Sequence, residues 1–250
     1  MTAKGYTEWE LFDAGLVKRR GGSNGESDGR RSGFYDTFRN RLMFPVIDVR
    51  GDVIGFSGRI LSGDGAKYLN SPDTPVFSKG RNLFGMNLAK KSKSGYLLLV
   101  EGNVDVVTLH QAGFDSAVAS LGTSFTPEQA RLMSRYVKEV VLAYDNDGAG
   151  QKAAAKAIGI LEKLDVNVRV LQMSGAKDPD EYIRVRGAEA FGNLIRDSEN
   201  QLDYRLNTVK AKYDLGTDEG KVGYLKEASS LLATLPGQVE RQVYAIRAAS

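Results

Sequence analysis

The 250-residue chain predicts an α/β fold: a mainly parallel sheet flanked by helices, preceded by a basic, β-rich mixed α/β segment and followed by a small helical bundle. Three observations predict it. Between Gly95 and Ser198, short apolar runs alternate with helix-like segments. Before Gly95, two apolar runs flank Arg50-Gly51-Asp52 in the manner of a hairpin. After Ser198 the strand-like runs stop and segments of helical period take over. These changes divide the chain into residues 1–94, 95–198 and 199–250.

Each element has its own signal. Residues 18–33, rich in Gly, Ser and charge, read as a mobile loop. In Arg41–Leu61 the hairpin carries Pro45 inside its first run, which argues for an edge position or a bulge. Tyr96–Val100 is a continuous apolar run, as expected of a strand buried on both faces. Asp105–Ala112 is helix-like, and Ser116–Ser120 is the next strand. Thr126 then stands as an N-cap with Pro127 at the first helical position and Gln129 completing a capping box. Val140–Tyr144 is the third strand, the stretch from Ala149 to Leu164 a helix, Val166–Met173 the fourth strand, and Asp178 opens another helix. Three amphipathic segments follow, within residues 200–213, 218–235 and 238–249.

Composition narrows the chemistry. Apolar and charged fractions of 42% and 26% are those of an ordinary globular protein. No run approaches membrane-spanning length, and Met1 is followed by polar residues, so neither a membrane segment nor a secretory signal is expected. The chain has no cysteine and one histidine, His110. Disulfides and zinc sites built on thiolates or imidazoles are therefore excluded, and a reducing compartment is expected. Any metal must be held by oxygen, which points to magnesium or manganese. Residues 1–95 carry 16 Lys and Arg against 10 Asp and Glu, and the remainder 18 against 21. A polyanion partner for the first part fits this split, as does chance drift.

The carboxylates fall in a pattern. Glu101 directly follows the first strand of the alternating region, with Asp105 one helical turn later. Asp145 and Asp147 follow the third strand, and Asp178 and Asp180 the fourth after a short loop. Parallel strands would bring these clusters to one sheet edge, where ligands of open α/β sheets bind. One acid at a strand end is ordinarily a helix N-cap. Three clusters on neighbouring strand ends repel, and a divalent cation relieves the repulsion. The glycines after Asp147 leave space for a phosphate. The stretch beginning at Asp145 fails as a calcium loop, since Ala149 and Lys156 occupy its fifth and twelfth positions. A haloacid-dehalogenase-type Asp-x-Asp is also disfavoured, by Ala149 and by the third-strand position, and no phosphate-loop motif occurs.

A strand followed by Glu-Gly, a later strand followed by Asp-x-Asp, and a third acidic pair resemble a Toprim domain. "VEGNVDVV" (Val100–Val107), "ASLGTSFT" (Ala119–Thr126), "YDNDGAG" (Tyr144–Gly150) and "KDPDEY" (Lys177–Tyr182) are similar to bacterial replicative DNA primases, as are "FRNRLMFPVIDVRGDVIGFSGRIL" (Phe38–Leu61) and "KYLNSPDTPVFSKGRNLFG" (Lys67–Gly85). The resemblance is specific over residues 34–197 and weaker in the helical tail. Departures are Asn103 and Val104, where aromatic and Met residues are usual, and Ser57 in place of Gly.

The resemblance implies a Toprim-type sheet and DNA-directed synthesis of RNA primers from nucleoside triphosphates on a single-stranded DNA template. It implies two or more Mg2+ or Mn2+ ions, with no zinc in this chain. Glu101 would ligate a catalytic ion and double as acid or base, Asp145 would bridge two ions, and Asp147 would hold the second. Asp105, Asp178 and Asp180 would complete the patch. Arg59, Lys67 and Lys79 match basic positions near nucleotide and template, and Arg39 and Arg41 a template-facing stretch. Tyr68 and Phe77 lie among them, to stack on bases or to pack. The zinc-binding domain, the first part of the polymerase domain and the helicase-binding domain are expected to lie outside this chain, with a replicative helicase as partner of the full-length protein. The expected location is the cytoplasm, at the nucleoid and replication fork. The alternatives are another Toprim activity, such as topoisomerase-like DNA cleavage, or a non-catalytic single-stranded-DNA-binding module.

Overall fold

The computed structural model describes residues 1–20, 33–235 and 237–249. The chain divides into two compact units, Met1–Arg196 and Asp197–Ser250.

The first unit begins with α1 (Glu8–Asp13), whose start is fixed by a capping box. The Thr7 hydroxyl accepts from Glu10 N–H, and the Glu10 carboxylate accepts from Thr7 N–H. β1 (Val17–Arg19) pairs antiparallel with β2 (Phe34–Asp36). Val17–Arg19 therefore form a strand where loop was expected from residue 18, and the rest of that expected loop, residues 21–32, lies outside the described residues. Pairing with β2 overrides the local composition, because a partner strand takes up backbone groups that a loop would leave to water.

β3 (Arg41–Ile47) and β4 (Val53–Ile60) form the expected hairpin, and β5 (Tyr68–Asn70) adds to the far side of β4. Asp48 shapes the turn: its Oδ1 accepts from the N–H groups of Arg50, Gly51 and Asp52. Pro45 lies in β3, an edge strand, and the register shifts between Val46 and Ile47. Both features expected of a proline-containing run are present.

α2 (Met86–Ala89) leads to the parallel sheet. Its strands β6 (Leu97–Val100), β7 (Ala117–Ala119), β8 (Glu139–Leu142) and β9 (Asn167–Val170) lie in the order β9-β8-β6-β7, all parallel. Every residue of β6 and β7 is buried, as the unbroken apolar runs require. The helices between strands are α3 (Asn103–Gln111), α4 (Pro127–Ser134) and α5 (Gly148–Leu161). Thr126 and Gln129 form the expected box at the start of α4. α6 (Pro179–Arg196) closes the unit. It bends at Gly187, whose φ of 84° ends one helical stretch and admits the next. Leu98, Val106, Leu109, Val141, Met173, Phe191 and Ile195 form one core between sheet and helices.

The β-rich segment is sewn to the parallel sheet. Phe84 and Ala119 exchange N–H···O=C bonds of 2.9 and 3.1 Å, covering the outer edge of β7. Gln129, completely buried, donates through Nε2 to the carbonyls of Lys79 and Asn82. Phe77 packs with Val46 and Leu121, so it is a core residue and not a surface for bases.

In the second unit, α7 (Gln201–Lys210), α8 (Asp218–Ala233) and α9 (Gln238–Ala249) surround a core of Leu202, Leu206, Val209, Tyr224, Ala228 and Leu232. Asn200 and Thr217 cap the first two helices. Tyr213 and Lys212 both bind Glu227, and Arg247 pairs with Asp203 at 3.1 Å.

Two glycines after Asp147 differ sharply. A Cβ on Gly150 would stand 2.0 Å from the Asp145 carbonyl oxygen, whereas one on Gly148 meets nothing within 4 Å. Gly148 alone thus fits the expectation of open space, while Gly150 lets α5 close on the chain that precedes it. Gly150→Ala is expected to cost about 3 kcal/mol in a denaturant titration, and Gly148→Ala less than about 0.5 kcal/mol.

Candidate active site at the carboxyl edge of the parallel sheet

The chain leaves β6 toward α3 and β7, then returns to place β8 on the other side of β6. The strand order reverses between β6 and β8, where a crevice opens at the carboxyl ends of strands in such sheets. Glu101 and Asp145 follow these two strands. Register carries them to the same level: Leu99 pairs with Leu142, and Ala143 N–H donates to Leu99 C=O at 2.9 Å. Asp145 N–H then reaches Glu101 Oε1 at 3.2 Å.

Glu101 has its carboxyl raised by burial, then by the charges of Asp145 and Asp147, against the pull of Asp145 N–H and of Lys177. Asp145 is raised by burial and by Asp178, with Lys177 and Lys67 opposing. Asp105, 9% exposed, is pushed up to about 7 by burial and by the charges of Asp178 and Asp145. Behind them, the buried Tyr144 hydroxyl is raised by burial and by Glu101. Carboxylates from three strand ends therefore act on one another.

Several of them also have structural work. Asp147 Oδ1 caps α5, accepting from Ala149 and Gly150 N–H at 2.9 and 2.8 Å. Asp178 Oδ1 accepts from Glu181 N–H at 2.8 Å in the first turn of α6. Asp105 Oδ2 accepts from Gly102 N–H at 3.1 Å, and a Cβ on Gly102 would stand 2.6 Å from that oxygen. A side chain after Glu101 would therefore displace the carboxylate three residues on. Asp180 is tied off: Oδ1 accepts from the Thr108 hydroxyl at 2.6 Å and Oδ2 lies 3.5 Å from Arg184 Nη2. It joins α6 to α3.

The basic residues separate into two sets. Lys67 acts on Asp145, so the segment before β5 reaches the acidic edge. Arg59 lies over the Tyr68 ring at 5.9 Å, and the Tyr68 hydroxyl feels Arg59, Asp105 and Asp180. Lys79 sits in the loop that Gln129 and Thr126 hold against α4. Arg41 is engaged otherwise: its Nη1 donates to the carbonyls of Gly58 and Ala66, both at 2.9 Å, stapling β4 to the loop after it. Arg39 lies over Tyr35 at 4.8 Å. Lys177, Thr108 and Asn146 had no role in the sequence reading. Lys177 stood inside a motif quoted for its acids, and Thr108 and Asn146 gave no signal, because their partners are far away in sequence. Asn146 joins the two acidic loops, its N–H donating to Lys177 C=O and its Nδ2 to Met173 C=O. His110 Nε2 lies 3.0 Å from Ala117 C=O.

The donor set fits a hard divalent cation. All candidate donors are carboxylate oxygens, Glu101, Asp145 and Asp105 are raised by burial and by neighbouring acids, and lysines relieve Glu101 and Asp145 only in part. Among the described residues no three acidic or imidazole side chains form a ready-made cage. Magnesium binds in this manner, through one or two carboxylates, waters and substrate phosphates.

Comparison with known proteins places this geometry. The Toprim-like family matches residues 98–183, which run from β6 to the start of α6. The family described as DNA primase catalytic core, N-terminal domain, matches residues 1–90. A DNA primase of Clostridium acetobutylicum is 42% identical over 245 residues, covering 98% of this chain and 39% of that protein. One of Synechococcus elongatus is 40% identical, covering 95% and 35%. A DnaG primase catalytic domain bound to ssDNA superposes with TM-score 0.79 at 35% identity, over 99% of this chain and 77% of that one. The RNA polymerase domain of Mycobacterium tuberculosis DnaG in complex with double-stranded DNA gives 0.83 at 32%, over 99% and 78%. The chain belongs to the bacterial DNA primase family, and spans well under half the length of the curated relatives it matches.

One expectation is overturned. Residues 202–250 match the family described as DnaB-helicase binding domain of primase, so the helicase-binding domain cannot be called absent. The three helices α7–α9 carry a helical period and no site motif, and periodicity alone could not tell that domain from the end of a polymerase domain.

Two predictions follow from the buried contacts. Asp105 has a folded pKa of about 7 against an ordinary 3.8. The folded state therefore holds the extra proton, and the stability this brings is full below pH 4 and lost as pH rises through 7. With chelator present, Asp105→Asn is expected to be more stable than the parent at pH 8 by on the order of 2 kcal/mol, and equal to it below pH 4, in thermal melts across that range. Thr108→Val is expected to lose about 1 kcal/mol in urea unfolding, and Thr108→Ser to recover most of it.

Proposed function

We propose that this chain synthesises RNA primers on single-stranded DNA by metal-dependent nucleotidyl transfer. The observation that carries the reading is the meeting, at the switch point of the sheet, of Glu101 and Asp145 with Lys67 from the basic segment. Glu101 and Asp145 would hold magnesium or manganese, with Asp147, Asp178 and Asp105 completing the charge and room for a second ion. Bound there, a divalent ion would lower the pKa of an attacking hydroxyl and steady the departing phosphate.

The protein's own groups do the rest. Glu101, raised by burial and its neighbours, is suited to take a proton from a 3′-hydroxyl. Lys67 supplies positive charge toward nucleotide or template, and Arg59, held over Tyr68, supplies a flat cation beside the same edge. Lys79, in a loop pinned to α4, continues the basic surface on the side of β7. Arg39 is exposed and suited to a phosphate of the template, while Asp180 and Arg41 act by positioning α6 and the loop after β4. Residues 1–94 would grip template and nucleotide, 95–198 would carry the chemistry, and 199–250 would meet the replicative helicase. Val239, Val243 and Ile246, exposed along α9 at helical spacing, suit that contact. Such work belongs to the cytoplasm, at the fork. No described helix is long and apolar enough to cross a membrane.

The test is synthesis from ribonucleotides on single-stranded DNA with magnesium or manganese. The parent chain is expected to yield short RNA, and Asp145→Ala or Asp147→Ala to lower the yield by more than about 100-fold. Chelation is expected to abolish it. Nicking of DNA without RNA product, or DNA binding without products that is unchanged in both variants, would overturn the reading.

A further inference from the structure

Lys177 stands beside the acidic edge without being consumed by it. It is exposed, in the loop between β9 and α6. Its backbone is fixed from two sides. The carbonyl accepts at 2.9 Å from the N–H of Asn146, the residue between Asp145 and Asp147. Its N–H donates to Glu181 Oε2 at 2.7 Å. The Lys177 backbone therefore runs alongside the Asp-x-Asp loop, and its four-carbon stem starts from a fixed point there. Its charge is felt by Glu101 after β6 and by Asp145 after β8 alike.

A lysine placed to brace the fold would close on one carboxylate. Arg169 does so with Glu139 at 2.8 Å, and Lys212 with Glu227. Among the described residues Lys177 forms no such ion pair. An ammonium near several carboxylates and bonded to none suits a ligand that brings its own anionic oxygens into an acidic crevice. A polyphosphate has that chemistry. It is repelled by Asp145, Asp147 and Asp178 unless cations meet it, and fixed lysines are a standard way of meeting it.

We propose that Lys177 binds the polyphosphate tail of the incoming nucleoside triphosphate, with Lys67 supplying a second cation from the preceding segment. The proposal rests on the nucleotidyl-transfer reading and adds a residue which that reading does not require. It also separates two effects of opposite sign. Removing the lysine takes a cation away from the phosphates, but it also takes a repulsive charge away from the metal site.

The test is equilibrium binding by the parent chain, Lys177→Met and Lys177→Arg. Manganese alone, and ATP and AMP in the presence of manganese, are titrated against each. Lys177→Met is expected to weaken ATP about tenfold and AMP less than about twofold, with Lys177→Arg within about threefold of the parent for both. Manganese alone is expected to bind Lys177→Met as well as or more tightly than the parent. Unchanged ATP affinity in Lys177→Met overturns the proposal and leaves the catalytic reading standing. Equal losses for ATP and AMP, or weaker manganese binding together with weaker ATP binding, assign the lysine to the fold and overturn it too. A parent chain that binds no ATP with manganese overturns the catalytic reading and the proposal together.

Discussion

Ala143 N–H donates to Leu99 C=O at 2.9 Å, the last backbone rung between the two central strands, and the carboxylates beyond it meet because that rung sets their level. Glu101 and Asp145 carry like charges that the strands force together. Two unit charges about 4 Å apart repel by roughly 4 kcal/mol at an effective dielectric near 20. Leu97–Val100 and Val140–Leu142 oppose this with side chains fully removed from water, each contributing about 1.5–3 kcal/mol. The apolar strands therefore hold the acids in place, and burial together with this repulsion appears as raised proton affinity at Glu101, Asp145 and Asp105 instead of as a broken sheet.

Helix starts divide the remaining charge. Asp147 and Asp178 each give one oxygen to the N-terminal amides of α5 and α6, where the helix dipole favours a negative group. Each is at once a cap and a member of the acidic edge. Taken one residue at a time, the capping explanation is correct, and it does not compete with a site. The same amides that anchor the loops fix where the second oxygens stand. Asp180 has gone further, giving both oxygens to Thr108 and Arg184.

The parallel sheet and the acidic edge were legible because their signals are local. Unbroken apolar runs mark doubly buried strands, Thr126 and Gln129 announce a helix start, and a carboxylate directly after a strand must lie at its end. Other features depend on residues distant in the chain. Nothing near Gln129 reveals that its amide holds the carbonyls of Lys79 and Asn82. Arg41 reads as a surface cation until the carbonyls of Gly58 and Ala66 are seen to occupy it. Lys18 and Arg19 read as loop because a three-residue strand has too little pattern to stand against a Gly- and Ser-rich neighbourhood. In the helical tail, periodicity described the bundle well and was silent about its kind.

Pro45 in β3 has a consequence for the chain's life outside the folded state. The three-stranded sheet leaves two edges open, and an open edge is a template for another polypeptide. Proline brings no amide hydrogen to β3, and a register shift follows directly after Val46. The opposite edge, β5, is three residues long and runs straight into Ser71 and Pro72. Neither margin offers an unbroken ladder of donors and acceptors. The sheet is in this way poorly suited to stacking on its own copies, and crowded nascent chains gain little by adding strand to strand.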